Sequence, residues 1–314
     1  MKKIVALMGP TAVGKTPLAI ELAERIDAEI ICVDSIAIYR DFNIATAKPS
    51  AAETERVSHY LIDIIDPVES FSAGDFCREA KKAMEEIRKR GKNILLVGGS
   101  GLYFRALFNG MFEIPRKDFR IKEKLEEKIK SVGIHNVYEE LKELDPETAD
   151  VIHRNDRYRI LRALEVYYTT GKRFSEFKKE HRLKLTQGPV ILKIGLNLPR
   201  EELYKRISER TDQMFKNGLL DEVSSLLKKY PPACKPFQSV GYKEANSFFL
   251  KGEASVEELK EEICQKTRAL ARRQLTWFRS EEGLQWFEPS QMDGIESLMT
   301  SFFGPDGPQN DVSQ

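Results

Sequence analysis

The chain has 314 residues, 41% hydrophobic and 32% charged, with a formal net charge of +1. That composition supports one large globular domain, or a domain with an insertion, and excludes a histone-like polycation. No apolar run approaches the roughly 18 residues that span a bilayer, and no secretory leader precedes the first strand pattern.

Residues 4–8 read as a buried strand. The next eight residues, Gly9, Pro10, Thr11, Ala12, Val13, Gly14, Lys15 and Thr16, meet the spacing G-x-x-x-x-G-K-[ST]. A helix follows over 15–26, with Leu18, Ala19, Leu22 and Ile26 on one side. In such a loop, backbone N–H groups turn inward around phosphate oxygens, and the helix N-terminus adds a positive field. Lys15 reaches terminal phosphates, and Thr16 is the Mg²⁺ ligand. The spacing predicts phosphate-ester binding and leaves open whether the ligand is ATP or another diphosphate.

Strands are predicted at 29–34, 60–65 and 93–99, a helix at 73–91 closed by Gly91, and another helix from Leu102. This alternation implies a parallel sheet covered by helices on both faces. "VDSIAIYR" puts Asp34 and Ser35 at the carboxyl end of the second strand, the edge where open α/β sheets bind ligands. A carboxylate there serves as proton acceptor, orienting group, water-mediated Mg²⁺ ligand or N-cap. "GGSGLYFRALF" repeats the strand–turn–helix order. Its amides and the Ser100 hydroxyl suit either a second anion or a plain tight turn.

The pattern changes after Pro115. Residues 116–185 hold charged amphipathic helices and no strand pattern. One of them, "DRYRILRALEVYYTTG", sets Ile160, Leu161, Leu164, Tyr167 and Tyr168 on one face. A core strand returns at 190–198, followed by helices over 199–218, near 219–229 and near 255–279, and a polar end from Pro289 that frays. The last long helix, "TRALARRQLTWFR", stripes Arg268, Arg272 and Arg279 with Arg273 beside them, and Trp277 and Phe278 anchor it. Such a stripe is either a solvated face or a phosphate-contacting surface. The expected architecture is an α/β core over 1–115 and 186–314, interrupted by a helical insertion over 116–185. The cysteines, Cys32, Cys77, Cys234 and Cys264, form no C-x-x-C pair. They form no zinc set with the four histidines, which predicts reduced thiols in a cytoplasmic protein.

Taken in order, "GPTAVGKT", "DSIAIYR", "ATAKP", "SHYLIDI", "FSAGDF", "GGSGLYFRAL", "NDRYRILRALEV", "ERTDQMFKNGLLDEV", "SVGYKE" and "TRALARRQLTWFR" resemble the tRNA dimethylallyltransferases (tRNA isopentenyltransferases). The resemblance extends over roughly residues 4 to 279. It implies a P-loop NTPase-like fold. It also implies transfer of a dimethylallyl group from dimethylallyl diphosphate to the exocyclic amine of the adenosine 3′ of the anticodon, with Mg²⁺ as cofactor. The P-loop would then hold a diphosphate leaving group, with no ATP cleaved.

By the same resemblance Asp34 is the general base, Thr11 a hydroxyl beside the reacting centre, and Arg210 a diphosphate contact, with Lys15 completing the catalytic set. Ser35, Ile36 and Ala37, with Asp34, match the adenosine pocket, and Ser100 a position usually held by Thr. Tyr158, Arg159, Ile160, Leu161 and Arg162 match one tRNA-contact stretch. Ser239, Val240, Gly241, Tyr242, Lys243 and Glu244 match a second, and Arg272 joins them on the basic helix. Ala37 stands where the family usually has Gln, Ala45 where it has Gly, and "SHY" where it has a Pro-His-His-like run. No Cys/His set follows at the carboxyl end, as in bacterial-type members. The implied partners are the tRNA anticodon stem-loop and dimethylallyl diphosphate, with no membrane and no obligate protein partner. Two rival classes share the motifs: a P-loop small-molecule kinase, and a nucleotide-gated RNA-binding module without catalysis.

Overall fold

The computed structural model describes residues 3–46, 48–110, 119–184, 190–252 and 255–304. The first part of the chain forms β1 (Lys3–Met8), α1 (Lys15–Arg25), β2 (Ala28–Val33), α2 (Ala51–Arg56), β3 (His59–Tyr60), α3 (Ala73–Lys89), β4 (Asn93–Gly98) and α4 (Gly101–Phe108). A run of helices follows: α5 (Phe119–Leu144), α6 (Pro146–Asp150), α7 (Arg157–Thr170) and α8 (Phe174–Lys184). The chain then returns to the sheet with β5 (Val190–Leu196), α9 (Arg200–Lys216), α10 (Leu219–Lys229), a 3₁₀ turn (Lys235–Gln238) and α11 (Tyr242–Lys251). It continues with α12 (Val256–Arg279), β6 (Leu284–Phe287) and α13 (Met292–Phe303).

The six strands form one sheet in the order β3-β2-β4-β1-β5-β6. Every neighbouring pair is parallel. Side chains alternate between two cores, as the period of a strand requires. Val5 and Leu7 of β1 face α1, α9 and α13, packing with Leu22, Ile207 and Met299. Ile4, Ala6 and Met8 face α3 and α4, packing with Phe76 and Phe104. Burial on both faces explains why β1 and β4 read as continuous apolar runs.

The chain divides into two compact units, residues 1–108 with 189–314, and residues 109–188. The expected junctions at 115–116 and 185–186 lie outside the described residues. Within the second unit every regular element among the described residues is a helix. Its core joins Leu125, Ile129, Val137 and Leu141 of α5 to Ile160, Leu161 and Leu164 of α7. Tyr168 sits off that core, 46% exposed.

The expected strand over 60–65 stops at Tyr60. Leu61 and Asp63 take left-handed conformations, φ 64° and 55°, which no strand continues through. The segment instead pairs with the loop after β2: the Asp63 N–H donates to Ala37 O and the Ile64 N–H to Ile38 O. The end from Pro289 expected to fray instead holds α13, whose Ile295, Met299 and Phe302 are buried in the β1 core, and β6 joins the sheet just before it. α13 has apolar residues at helical spacing that the polar, glycine-bearing flanks obscured. The four cysteines are free thiols, and no helix among the described residues is long and apolar enough to cross a membrane.

Candidate active site

Register sets the site. Met8 of β1 aligns with Gly98 of β4, which aligns with Val33 of β2. Gly9, Gly99 and Asp34 therefore leave the sheet at one level, with β4 between the other two. Two strand spacings put Asp34 about 10 Å along the edge from the start of the phosphate loop.

The loop 9–14 turns through two left-handed residues, Gly14 at φ 98° and Ala12 at φ 65°. Gly14 suits that conformation because it has no Cβ. Gly14 also caps α1 without any side-chain hydrogen bond, and Gly14, Lys15 and Thr16 at that helix start line one cavity. Lys15 folds back over the loop, and its Nζ donates to Gly9 O at 2.9 Å and Pro10 O at 2.6 Å. Burial pushes the Lys15 ammonium down to about 7, Arg210 adds to the effect, and the Asp34 carboxylate opposes it. An anion in the loop would reverse that shift by supplying the missing counter-charge.

Arg210 comes from α9. One of its terminal nitrogens donates to Thr11 Oγ1 at 3.0 Å and the other to Ala45 O at 3.1 Å. Its Nε is buried and has no partner among the described residues. Burial holds the guanidinium below its ordinary range, with the Asp34 charge opposing. Gln274 of α12 ties the loop from the other side: the Thr11 N–H donates to its Oε1 at 2.9 Å, and its Nε2 donates to Gly99 O at 3.0 Å.

Asp34 Oδ1 accepts from the N–H groups of Ile36 at 2.8 Å and Ala37 at 3.1 Å. Asp34 therefore fixes the turn after β2, as an N-cap would, and its other oxygen takes no part in that turn. A cavity of about 330 Å³ joins these parts, lined by Thr11, Lys15, Thr16, Asp34, Arg210 and Gln274 among others. That volume is within the range of small-molecule sites. Ala37, Ile62 and Val97 give it apolar wall.

Thr16 and Asp34 supply a hydroxyl and a carboxylate oxygen to the same cavity. Hard oxygen donors of this kind, completed by phosphate oxygens and water, suit a divalent cation such as Mg²⁺. Among the described residues no group of three or more His, Cys, Asp and Glu is placed to hold a metal without such a ligand.

The structure brings Thr11, Lys15, Thr16, Asp34, Ala37 and Arg210 to one cavity. Ser100 does not line it, and the Ser100 N–H donates to Val33 O at 3.2 Å, so the second glycine turn is a tight turn. Ile160 is fully buried, Leu161 6% exposed, Tyr242 fully buried and Glu244 6% exposed. Ile160, Leu161 and Tyr242 hold cores and Glu244 accepts from the Gly241 N–H at 2.7 Å, while Tyr158, at 66% exposure, and Arg159 stand on the surface. Arg162 is paired with Glu165 at 2.9 Å, largely out of solvent. Arg272 is exposed and donates to the Tyr204 hydroxyl at 2.9 Å. Gln274 escaped the reading of its helix as an arginine stripe. Ala271, Gln274 and Phe278 recur at i, i+3 and i+7, the inner face of α12, so a polar residue in that set was the available signal.

A sequence model of the family described as IPP transferase matches residues 37–281. The chain is 44% identical over 303 residues to a tRNA dimethylallyltransferase 2 of Geotalea daltonii, covering 96% of this chain and 92% of the relative. It is 43% identical over 304 residues to a tRNA dimethylallyltransferase of Geobacter sulfurreducens, covering 96% and 97%. The full-length tRNA isopentenylpyrophosphate transferase of Bacillus halodurans superposes with a TM-score of 0.69 at 37% identity, covering 96% of each chain. A eukaryotic dimethylallyltransferase acting on tRNA superposes with a TM-score of 0.83 at 30% identity, covering 99% of this chain and 82% of that one. With a phosphate loop, a carboxylate and a buried arginine around one cavity, and with likeness of this extent, the chain belongs to the IPP transferase family, that of the tRNA dimethylallyltransferases.

Proposed function

We propose that the chain transfers a dimethylallyl group from dimethylallyl diphosphate to the exocyclic amine of the adenosine 3′ of the anticodon in tRNA, releasing diphosphate. The observation that carries this reading is the shared cavity: anion-binding groups and a carboxylate face one space of about 330 Å³. The bond between the allylic carbon and the diphosphate oxygen breaks, the bond from that carbon to the amine nitrogen forms, and the nitrogen loses a proton. Loop amides, Lys15 and Arg210 stabilise the departing charge, and the unpartnered Nε of Arg210 leaves a donor for it. Thr16, with the diphosphate oxygens, would hold Mg²⁺, which when bound neutralises charge on the leaving group. The adenine amine is a weak nucleophile, and Asp34 accepts its proton as the new bond forms. The target base lies in an anticodon loop and must be flipped out to reach this cavity. Tyr158 and Arg159 on the helical unit, and Lys243 and Arg272 on the sheet unit, are the exposed members of the expected tRNA contacts.

The test is to mix protein, Mg²⁺, unmodified tRNA and dimethylallyl diphosphate labelled in the prenyl group, then digest the RNA. Label on the amine of one adenosine is the expected result. Conversion of ATP to ADP with dimethylallyl diphosphate left intact would contradict it in favour of a kinase.

A further inference from the structure

Tyr242 lies in one of the stretches expected to touch tRNA, yet its ring is fully buried. It packs edge-on against Phe42 at 4.9 Å, in the core shared with Phe237 and Val223. Its hydroxyl makes two hydrogen bonds. The O–H donates to Glu222 Oε2 at 2.6 Å, and the oxygen accepts from the Ala45 N–H at 3.3 Å. Burial and the Glu222 carboxylate push the phenol up, so it stays a donor across the working pH range. Glu222, from α10, accepts in addition from the N–H of Asn43 at 2.9 Å and of Ile44 at 3.2 Å. Three consecutive amides, 43 to 45, are thus pinned by one carboxylate and one phenol. Gly241, at φ 94°, lets the loop lie close, since a Cβ there would come within 2.9 Å of Ala45 Cβ.

The far side of that loop faces the active site. Ala45 O accepts from Arg210, and Thr46 and Lys48 line the cavity. Lys48 ties the same loop down by donating to Tyr39 O at 2.7 Å and to Asn43 Oδ1 at 2.9 Å, and by pairing with Asp63. Among the described residues Arg210 has two hydrogen-bond partners, Ala45 O and Thr11 Oγ1. Where the loop sits therefore decides where the guanidinium points.

We propose that Glu222 and Tyr242 are positioning residues for diphosphate binding: they fix the loop 43–45 so that Ala45 O aims Arg210 at the leaving group. The inference rests on the reading of Arg210 as a diphosphate contact. It assigns Tyr242 to the leaving-group side of the reaction and takes it out of RNA contact.

A double-mutant cycle with inorganic diphosphate and Mg²⁺ tests it by calorimetric titration, with no turnover required. Tyr242→Phe keeps the ring and its packing and removes both hydrogen bonds. It should weaken diphosphate binding about tenfold in the parent, the order expected for losing such bonds to a charged network. In an Arg210→Ala background the same change should cost less than about twofold, because the arginine it positions is gone. Glu222→Gln should repeat the pattern, and affinity for an anticodon stem-loop should stay within twofold of the parent for both variants. Equal losses in the two backgrounds, no loss in the parent, or a loss confined to RNA binding would overturn the inference. If Arg210→Ala itself leaves diphosphate binding unchanged, the underlying reading of Arg210 falls as well. That result differs from one in which Arg210 matters and Tyr242 does not.

Discussion

Lys15 illustrates how a single side chain reports the state of the site. Its ammonium donates to two carbonyls of the loop, and burial brings it to about 7. A bound diphosphate favours the charged form and raises that value, so binding takes up a proton at any pH between the two values. Affinity for diphosphate is then fully present below pH 7. It falls by up to about tenfold per pH unit as pH rises above 7, until the bound-state value is reached. Titrations from pH 7 to 9 in buffers of different ionisation enthalpy should show both the loss of affinity and the proton uptake. Lys15→Met should bind more weakly at pH 7 and lose both dependences. An affinity flat from pH 7 to 9 in the parent would contradict the assignment. Asp34 is the contrasting case, because sequence position alone left it as base, orienting group, water-mediated Mg²⁺ ligand or cap. The structure has it capping the turn through one oxygen and lining the cavity as well. The two roles are compatible, which no residue pattern reveals.

At the scale of elements, α12 carries most of what the motifs hid. Its outer face bears Arg272, and its inner face places Gln274 between the phosphate loop and Gly99. The close fit depends on Gly101: a Cβ there would lie 2.2 Å from the Trp277 ring. A rigid indole held under Arg105, 4.4 Å from its centroid, cannot absorb that overlap by a simple rotation. Gly101→Ala should cost about 1–3 kcal/mol, as overpacking does, and lower the unfolding midpoint in urea. The same variant should weaken diphosphate binding by shifting Gln274 from Thr11, whereas a midpoint equal to that of the parent would refute the packing argument. The strands β1 and β4 were legible because burial on both faces writes an apolar run, and β2 and β5 because only a single charged residue, Glu29 or Lys193, interrupts theirs. The bounds of the short β3 were not, because the largely apolar Leu61–Ile65 leaves the sheet through left-handed turns at Leu61 and Asp63, which hydrophobicity does not distinguish from a strand. β6 and α13 follow a polar turn and were hidden by it. Glu222 acts through tertiary contacts with residues far away in sequence, Asn43 and Ile44, so local pattern carries no sign of it.

At the scale of the molecule, net charge is near zero, so attraction to RNA must come from clustered arginines and lysines on an otherwise balanced surface. Arg159, Lys243 and Arg272 are the exposed ones in the expected stretches, while Arg162 is committed to Glu165. Reversal of Arg162 would therefore set two carboxylates against each other and confound stability with binding. Arg272→Ala should weaken anticodon stem-loop binding and reduce the slope of log affinity against log salt by about 1, with diphosphate binding unchanged. An unchanged salt slope would remove Arg272 from the interface. The expectation of a helical insertion rests on the loss and return of strand patterns, since a helical stretch cannot join a parallel sheet. The central claim joins both ends of the reaction in one cavity, with Asp34 taking the proton from the nucleophile. The most direct measurement is single-turnover transfer of the prenyl group to tRNA by Asp34→Asn. The asparagine oxygen still accepts from Ile36 and Ala37, so the turn is kept while the proton acceptor is lost. The rate should fall by about 10²–10⁴, with binding of both substrates within a few-fold of the parent; a transfer rate within a few-fold of the parent would contradict the account.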